Sequence, residues 1–308
     1  MPSICYIDKR FKDDRLLLID QINEVVIDYT KEGYTLTLRQ LYYQLVSRGI
    51  IENSARSYKN VGSLINDARL AGLIDWKAIE DRTRVLKKLA HWDNPQSIIA
   101  SASFQYSKNL WETQKYYIEV WVEKEALAEV VQRACIPLDV SYFCCRGYVS
   151  QSEMWEASQR FIRKTQEGKY VTIIHLGDHD PSGIDMTRDI EERITMFGNH
   201  DGGYQFSDNF LGIQRIALNM NQVELYNPPP NPAKITDTRS NKYIEQFGDE
   251  SWELDALEPK VINNLIHNKV MEYADESIMN DIKERVEKEK EVMKRICNDW
   301  DSLYEQYK

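Results

Sequence analysis

YVTIIHLGDHDPSGID, residues 170–185, is the stretch on which the fold turns. Its first seven residues are apolar, aromatic or β-branched and predict a buried strand. Gly177-Asp178-His179-Asp180 follows at once, Pro181-Ser182-Gly183 forces a turn, and IDMTRDIEERITMF continues as a helix. Upstream the same pattern recurs. YYIEVWV (116–122) predicts a strand followed by a helix over EKEALAEVVQRAC (123–135). DVSYFCC (139–145) predicts a second strand, with SQSEMWEASQRFIRKTQ (150–166) as its helix. Strands alternating with helices predict an α/β domain, residues 113–258, with a mainly parallel sheet flanked by helices. In such sheets functional groups gather beyond the carboxyl ends of the strands.

The first third of the chain reads as helical. Asp14–Thr30 carries apolar residues at helical spacing and Gly33 ends the run. Thr37 is placed to cap LRQLYYQLVSRG, in which Leu38, Leu41, Tyr42, Leu45 and Val46 share a face and Gly49 follows the end. A third helix is expected over Tyr58–Ala71, then a short extended piece or turn in LIDWKAIEDRTR (73–84). Three helices with a strand-like return predict a winged-helix-like unit over residues 1–92. The pattern weakens over 93–112, which is assigned to the connection. NPPPNPAK (227–234) is expected to be an extended loop, and 259–308 an acidic helical tail.

With 308 residues, 42% of them hydrophobic, the chain is large enough for two cores. No apolar run approaches the roughly 18 to 20 residues a membrane span requires, and MPSICYIDKRFKDD is too charged for a secretory signal, so a cytoplasmic protein without membrane association is expected. The five cysteines form no C-x-x-C pair and the five histidines show no zinc spacing. A net charge of −10 argues against a protein that coats nucleic acid nonspecifically. The charge is uneven, however. Between Arg56 and Lys88 eight basic residues face four acidic ones, whereas from Asn241 to Lys308 seventeen acidic residues face ten basic ones. A basic N-terminal half can therefore face DNA while the acidic tail faces elsewhere.

Glu123 directly follows the first strand, and Asp178 and Asp180 follow the third. Parallel strand ends can be neighbours, so these three carboxylates can converge. Hard oxygen ligands of this kind suit Mg²⁺, with Mn²⁺ as the alternative, especially where phosphate completes the shell. The bland reading is that Glu123 enriches a helix N-terminus and Asp178 caps the next helix.

A glutamate after a hydrophobic strand followed by D-x-D after a later one resembles the Toprim domain of topoisomerases, bacterial primases and several nucleases. V-E-K-E-A (122–126), C-R-G-Y (145–148) and G-D-H-D-P-S-G-I-D (177–185) are more particularly similar to the topoisomerase VI A subunit and the related meiotic double-strand-break protein. The resemblance implies that Glu123, Asp178 and Asp180 are metal ligands. It also implies a catalytic tyrosine in a preceding winged-helix domain, within T-x-R-x-x-Y-Y. Thr37-Leu38-Arg39-Gln40-Leu41-Tyr42-Tyr43 matches that motif and makes Tyr43 the nucleophile. Its phenol oxygen would attack a phosphodiester to give a covalent phosphotyrosyl end that can be resealed. Arg39, one helical turn earlier, would hold the phosphate or assist loss of the phenol proton. Tyr42, about 100° away around the helix, is better placed to pack.

The family reading implies double-stranded DNA as substrate, a homodimer in which each tyrosine works beside the partner's metal site, and a separate GHKL-type ATPase subunit for strand passage. Arg56, Lys59, Arg69, Arg82 and Arg84 are the candidate DNA contacts, although the segment from Asn53 to Arg84 departs from the wing sequence of that family. Lys234 and Arg239, near Tyr226-Asn227-Pro228-Pro229 and Asp237-Thr238-Arg239, are candidate phosphate contacts. Trp252–Leu257 reads as a packed or dimer element without chemistry. Two other readings stand beside this one: a Toprim nuclease of the overcoming-lysogenisation-defect type, with water as nucleophile and a role in a mobile element or defence system, and a catalytically silent DNA-binding subunit.

Overall fold

The computed structural model describes residues 4–80, 89–232 and 240–306. Its first unit contains α1 (Asp13–Lys31), the two-residue strand β1 (Leu36–Thr37), α2 (Leu38–Ser47), α3 (Ala55–Leu70) and β2 (Ile79–Glu80), which pairs in parallel with β1. Thr37 caps α2 as expected. Its hydroxyl accepts from the Gln40 amide while the Gln40 side chain returns to the Thr37 amide, so two otherwise orphaned donors are satisfied. Ile19, Ile22, Leu41, Leu45, Leu64 and Ile65 close a small core among the three helices.

The second unit is built on α4 (Pro95–Gln105), β3 (Tyr116–Val122), α5 (Ala128–Cys135), β4 (Ser141–Cys144), α6 (Gln151–Gln166), β5 (Tyr170–Leu176) and α7 (Pro181–Asn209, bent at Gly203). It continues with β6 (Phe210–Ala217), α8 (Met220–Tyr226), β7 (Asn231–Pro232), α9 (Ser240–Phe247), β8 (Glu250–Ser251), α10 (Pro259–Met271), α11 (Glu276–Asn298) and α12 (Trp300–Glu305). The main sheet runs β4-β3-β5-β6 with every pair parallel. The three expected strands are present, and the protein is an α/β fold whose parallel sheet is flanked by helices. The fourth strand, β6, lay in a segment to which the sequence reading assigned no element. The residues after Val122 open into extended backbone and a short 3-10 turn over Glu125–Leu127, so the expected helix begins only at Ala128.

Alternation along the strands gives the sheet two apolar faces. Ile118, Val120, Val122, Ile174 and Leu176 pack with α5, α10 and α11, while Trp121, Val171 and Ile173 pack with α6 and α7. Glu119 interrupts this pattern only in appearance, because Arg160, Tyr117 and Trp121 all hydrogen-bond its carboxylate. Two expectations are corrected by these contacts. The segment 93–112 holds the helix α4, which packs on α11, and the expected acidic tail supplies Ile262, Ile266, Val270, Met279, Ile282 and Val286 to the sheet's own core. Charge lies on the outer faces of α10 and α11, and the apolar stripe decides where they go. No helix among the described residues is long and apolar enough to cross a membrane.

Ile266 is fully buried beneath the sheet. Ile266→Ala is expected to destabilise the whole domain by about 2–5 kcal/mol in urea titration; a loss below about 1 kcal/mol would mean that α10 is an appendage.

Candidate functional site

Strand register brings the residues that follow β3, β4, β5 and β6 to one edge. Val122 lies opposite both Cys144 and Leu176, and Leu176 opposite Ala217, so residues following these strands emerge side by side. The Asp178 amide donates to Glu123 Oε2 at 2.9 Å, which ties two of the three expected acids together. Asp180 sits at the N-cap of α7, where its Oδ1 accepts from the Gly183 amide at 2.6 Å. Gly183 has no room for a side chain, since a Cβ there would lie 2.3 Å from the Asp178 carbonyl oxygen. The motif Cys145–Tyr148 joins the same rim: Arg146 pairs with Glu125, and the Tyr148 hydroxyl donates to Asp185 at 2.7 Å.

Arg215 of β6 secures the loop from below. Its guanidinium donates to the carbonyls of Gly177, Asp178, Gly183 and Leu218 and to the Thr187 hydroxyl, over 2.6–3.2 Å. Burial lowers this guanidinium to a pKa of about 10, with Glu123, Asp178 and Asp180 opposing the shift. His179 anchors the loop from the opposite side. It exchanges backbone hydrogen bonds with Trp252 at 2.8 and 2.9 Å, and its ring lies against Tyr243, Phe247 and Trp252. Thus the residue between the two aspartates is a structural peg.

The His179–Trp252 pairing brings Glu253 and Asp255 to the same edge, while Trp252, Leu254 and Leu257 pack into the core as expected of that segment. The Leu254 amide donates to Asp178 Oδ1 at 2.8 Å. Lys124 Nζ meets Asp178 Oδ2 at 2.8 Å and Asp255 Oδ1 at 3.1 Å, and also contacts Glu253. Arg39 reaches across from α2, with Glu253 Oε2 at 2.6 Å and Asp255 Oδ2 at 2.8 Å. Burial, then Glu123, Glu253 and Asp255, hold the Asp178 carboxyl well above the usual range despite Lys124. Burial likewise raises Glu123. At Glu253 burial also acts upward, but Lys124 and Arg39 outweigh it and the group lies below its ordinary value.

Tyr43 lies one turn beyond Arg39, whose guanidinium sits 5.8 Å from the ring centroid. Its side chain hydrogen-bonds Asn231, and burial together with Glu253 and Asp255 pushes the phenol up to about 12. A cavity of 410 Å³ opens here, lined by Arg39, Tyr43, Asn53, Tyr58 and Asn231 among others. Tyr42 has the expected packing role: its hydroxyl bonds Asn53 and Ser54 and fixes the turn into α3. Among the basic candidates, Arg56 and Lys59 are exposed on α3. Arg69 is instead used internally, bonding the carbonyls of Trp76 and Ile79 and lying against the Trp76 ring. Arg82, Arg84, Lys234 and Arg239 lie outside the described residues.

Among the described residues, no three His, Cys, Asp or Glu side chains are arranged around a common point as metal ligands. Glu123, Asp178 and Asp180 are neighbours, but Asp178 is turned toward Lys124 and the Leu254 amide. The donor set is all carboxylate, which is the chemistry a hard cation takes, while Lys124 and the Leu254 amide already engage the two Asp178 oxygens. No family model, curated protein or solved structure matches this chain.

His175, fully buried under the loop, bonds Thr187 through Nδ1, while its Nε2 has no hydrogen-bond partner among the described residues. Burial and then Arg215 lower its pKa from 6.5 to about 3. The folded protein keeps this imidazole neutral while the unfolded chain protonates it, so its contribution to stability is present above pH 6.5 and is lost as pH falls toward 3. The difference in unfolding free energy between the wild type and His175→Asn is expected to shrink by up to ~1.4 kcal/mol per pH unit below pH 6.5. A difference independent of pH in that range would show that His175 is not held neutral.

Proposed function

We propose that this chain is a magnesium-dependent DNA-cleaving protein resembling the topoisomerase VI A subunit, with its N-terminal unit acting as a winged helix and its sheet unit as a Toprim domain. The observation that carries the reading is the ionic path from Tyr43 to the acids. Arg39 touches both the Tyr43 ring and the pair Glu253 and Asp255, and Lys124 links that pair to Asp178. Residues separated by most of the chain are thereby gathered into one polar centre at a strand-end edge.

In this reading Arg39 binds the scissile phosphate and stabilises the phenolate of Tyr43. The phenolate oxygen forms a bond to phosphorus as the bond from phosphorus to the sugar oxygen breaks, and the departing oxygen takes up a proton. One phosphodiester replaces another, so the reverse attack reseals the strand. Glu123, Asp178 and Asp180 would hold the divalent ion, which supplies charge stabilisation at the phosphate oxygens. Arg56 and Lys59 on α3 are offered to the DNA backbone. A double-strand break would take two copies of the chain, and strand passage would take a separate ATPase subunit. Tyr43 here lies beside acids of its own chain, whereas the resemblance implies a tyrosine working at the partner's metal site.

A second reading keeps the acids and makes water the nucleophile. It is favoured by Tyr43 itself, which is only 6% exposed and whose phenol is pushed up to about 12. Denaturing gels of DNA incubated with protein and Mg²⁺ separate the two. Tyr43→Phe is expected to abolish both the covalent protein–DNA adduct and cleavage; undiminished cleavage without an adduct would establish hydrolysis. Glu123→Gln is expected to lower cleavage by about 100-fold or more in either case, the scale of losing one preorganised electrostatic group. Unchanged activity in Glu123→Gln would leave the carboxylates without a catalytic role.

A further inference from the structure

Resting on that reading of the site, we propose that Lys124 is a resident cation that takes the place of a second divalent ion, so that the centre loads one metal ion. Two-metal phosphoryl-transfer sites place their ions about 3.5–4 Å apart to clamp attacking and leaving oxygens. Here Asp178 occupies the position between two sets of acids. Its amide is bound by Glu123, near Asp180, while its carboxylate faces Lys124 together with Glu253 and Asp255. Three carboxylates, one from the loop after β5 and two from the segment after β8, therefore converge on one ammonium group.

The backbone explains why Glu123 and Lys124 serve different halves of the centre. Both lie in the extended connection after β3, where Lys124 has φ −104° and ψ 130°, so successive side chains leave in opposite directions. Glu123 turns to the Asp178 amide and Lys124 to the acids delivered by the 252–255 segment. The Lys124 side chain is only 15% exposed, and its ammonium group lies against all three carboxylates.

Charge balance limits the number of further ions. Glu123, Asp178, Asp180, Glu253 and Asp255 face Lys124, Arg39 and Arg215. With all five carboxylates ionised, the excess of two negative charges would be balanced by a single divalent ion. A second ion would have to displace Lys124 from carboxylates that it already satisfies.

Manganese binding to the full chain without DNA, followed by calorimetry and by electron paramagnetic resonance, tests this. One ion is expected for the wild type and for Lys124→Arg, and two for Lys124→Ala. Combining Lys124→Ala with Glu253→Gln and Asp255→Asn is expected to restore one. Two ions in the wild type, one in Lys124→Ala, or two in the triple variant would each overturn the proposal. A wild type that binds none would instead sink the metal-dependent reading beneath it. Manganese is also expected to raise the Tm of Lys124→Ala more than that of the wild type, and a Lys124→Ala chain that stays unfolded at saturating manganese counts against the proposal.

Discussion

The contact of Lys124 with Asp178, Glu253 and Asp255 is the interaction around which this molecule is arranged. Taking several charges out of water is costly, and removing one member of such a cluster commonly costs about 3–5 kcal/mol because its partners stay buried and unpaired. The cluster therefore tolerates little displacement of the elements that bear it. Those elements are the end of β3, the loop after β5, the segment after β8 and, through Arg39, the helix α2 of the other unit. Apolar packing adds to the clasp, since Tyr42 and Tyr43 lie against Ala256. The interface between the units thus coincides with the polar centre, and any ligand that binds there acts on both.

Supporting groups give the centre its shape. Arg215 binds four backbone carbonyls and a hydroxyl beneath the D-x-D loop, and His179 pins that loop to Trp252. Neither needs to meet a substrate. Each fixes where Asp178 and Asp180 stand. The exposed α3 side chains Arg56 and Lys59 lie on the unit that carries Tyr43, and their neighbours Ala55 and Tyr58 line the cavity beside that tyrosine.

Strands were legible because their signal is local. YYIEVWV and YVTIIHL are dense in β-branched and aromatic residues, and they form β3 and β5 over those same residues. Thr37 was legible as a cap for the same reason. β6 was not, because Phe210–Ala217 includes Gly212 and Arg215 and reads as mixed until its neighbour supplies the pairing. The acidic tail misled because net charge hides an apolar stripe: Ile262, Ile266 and Val270 recur at helical spacing within a charged sequence. At the site, Glu123 and Asp178 were found from their position after strands. Glu253 and Asp255 were missed although they flank Leu254 with the same one-residue gap as the D-x-D motif. Only the long-range pairing of Trp252 with His179 brings them in, and nothing local encodes that pairing.

The most direct test of a single composite centre is a double-mutant cycle between the units, with Arg39→Met and Asp255→Asn made separately and together and unfolding free energies measured in urea. A coupling energy of at least about 1 kcal/mol is expected, as for residues sharing one ionic network. Effects that add to within about 0.5 kcal/mol would mean that α2 and the sheet edge are energetically independent there, and that Tyr43 and the carboxylates do not form one site.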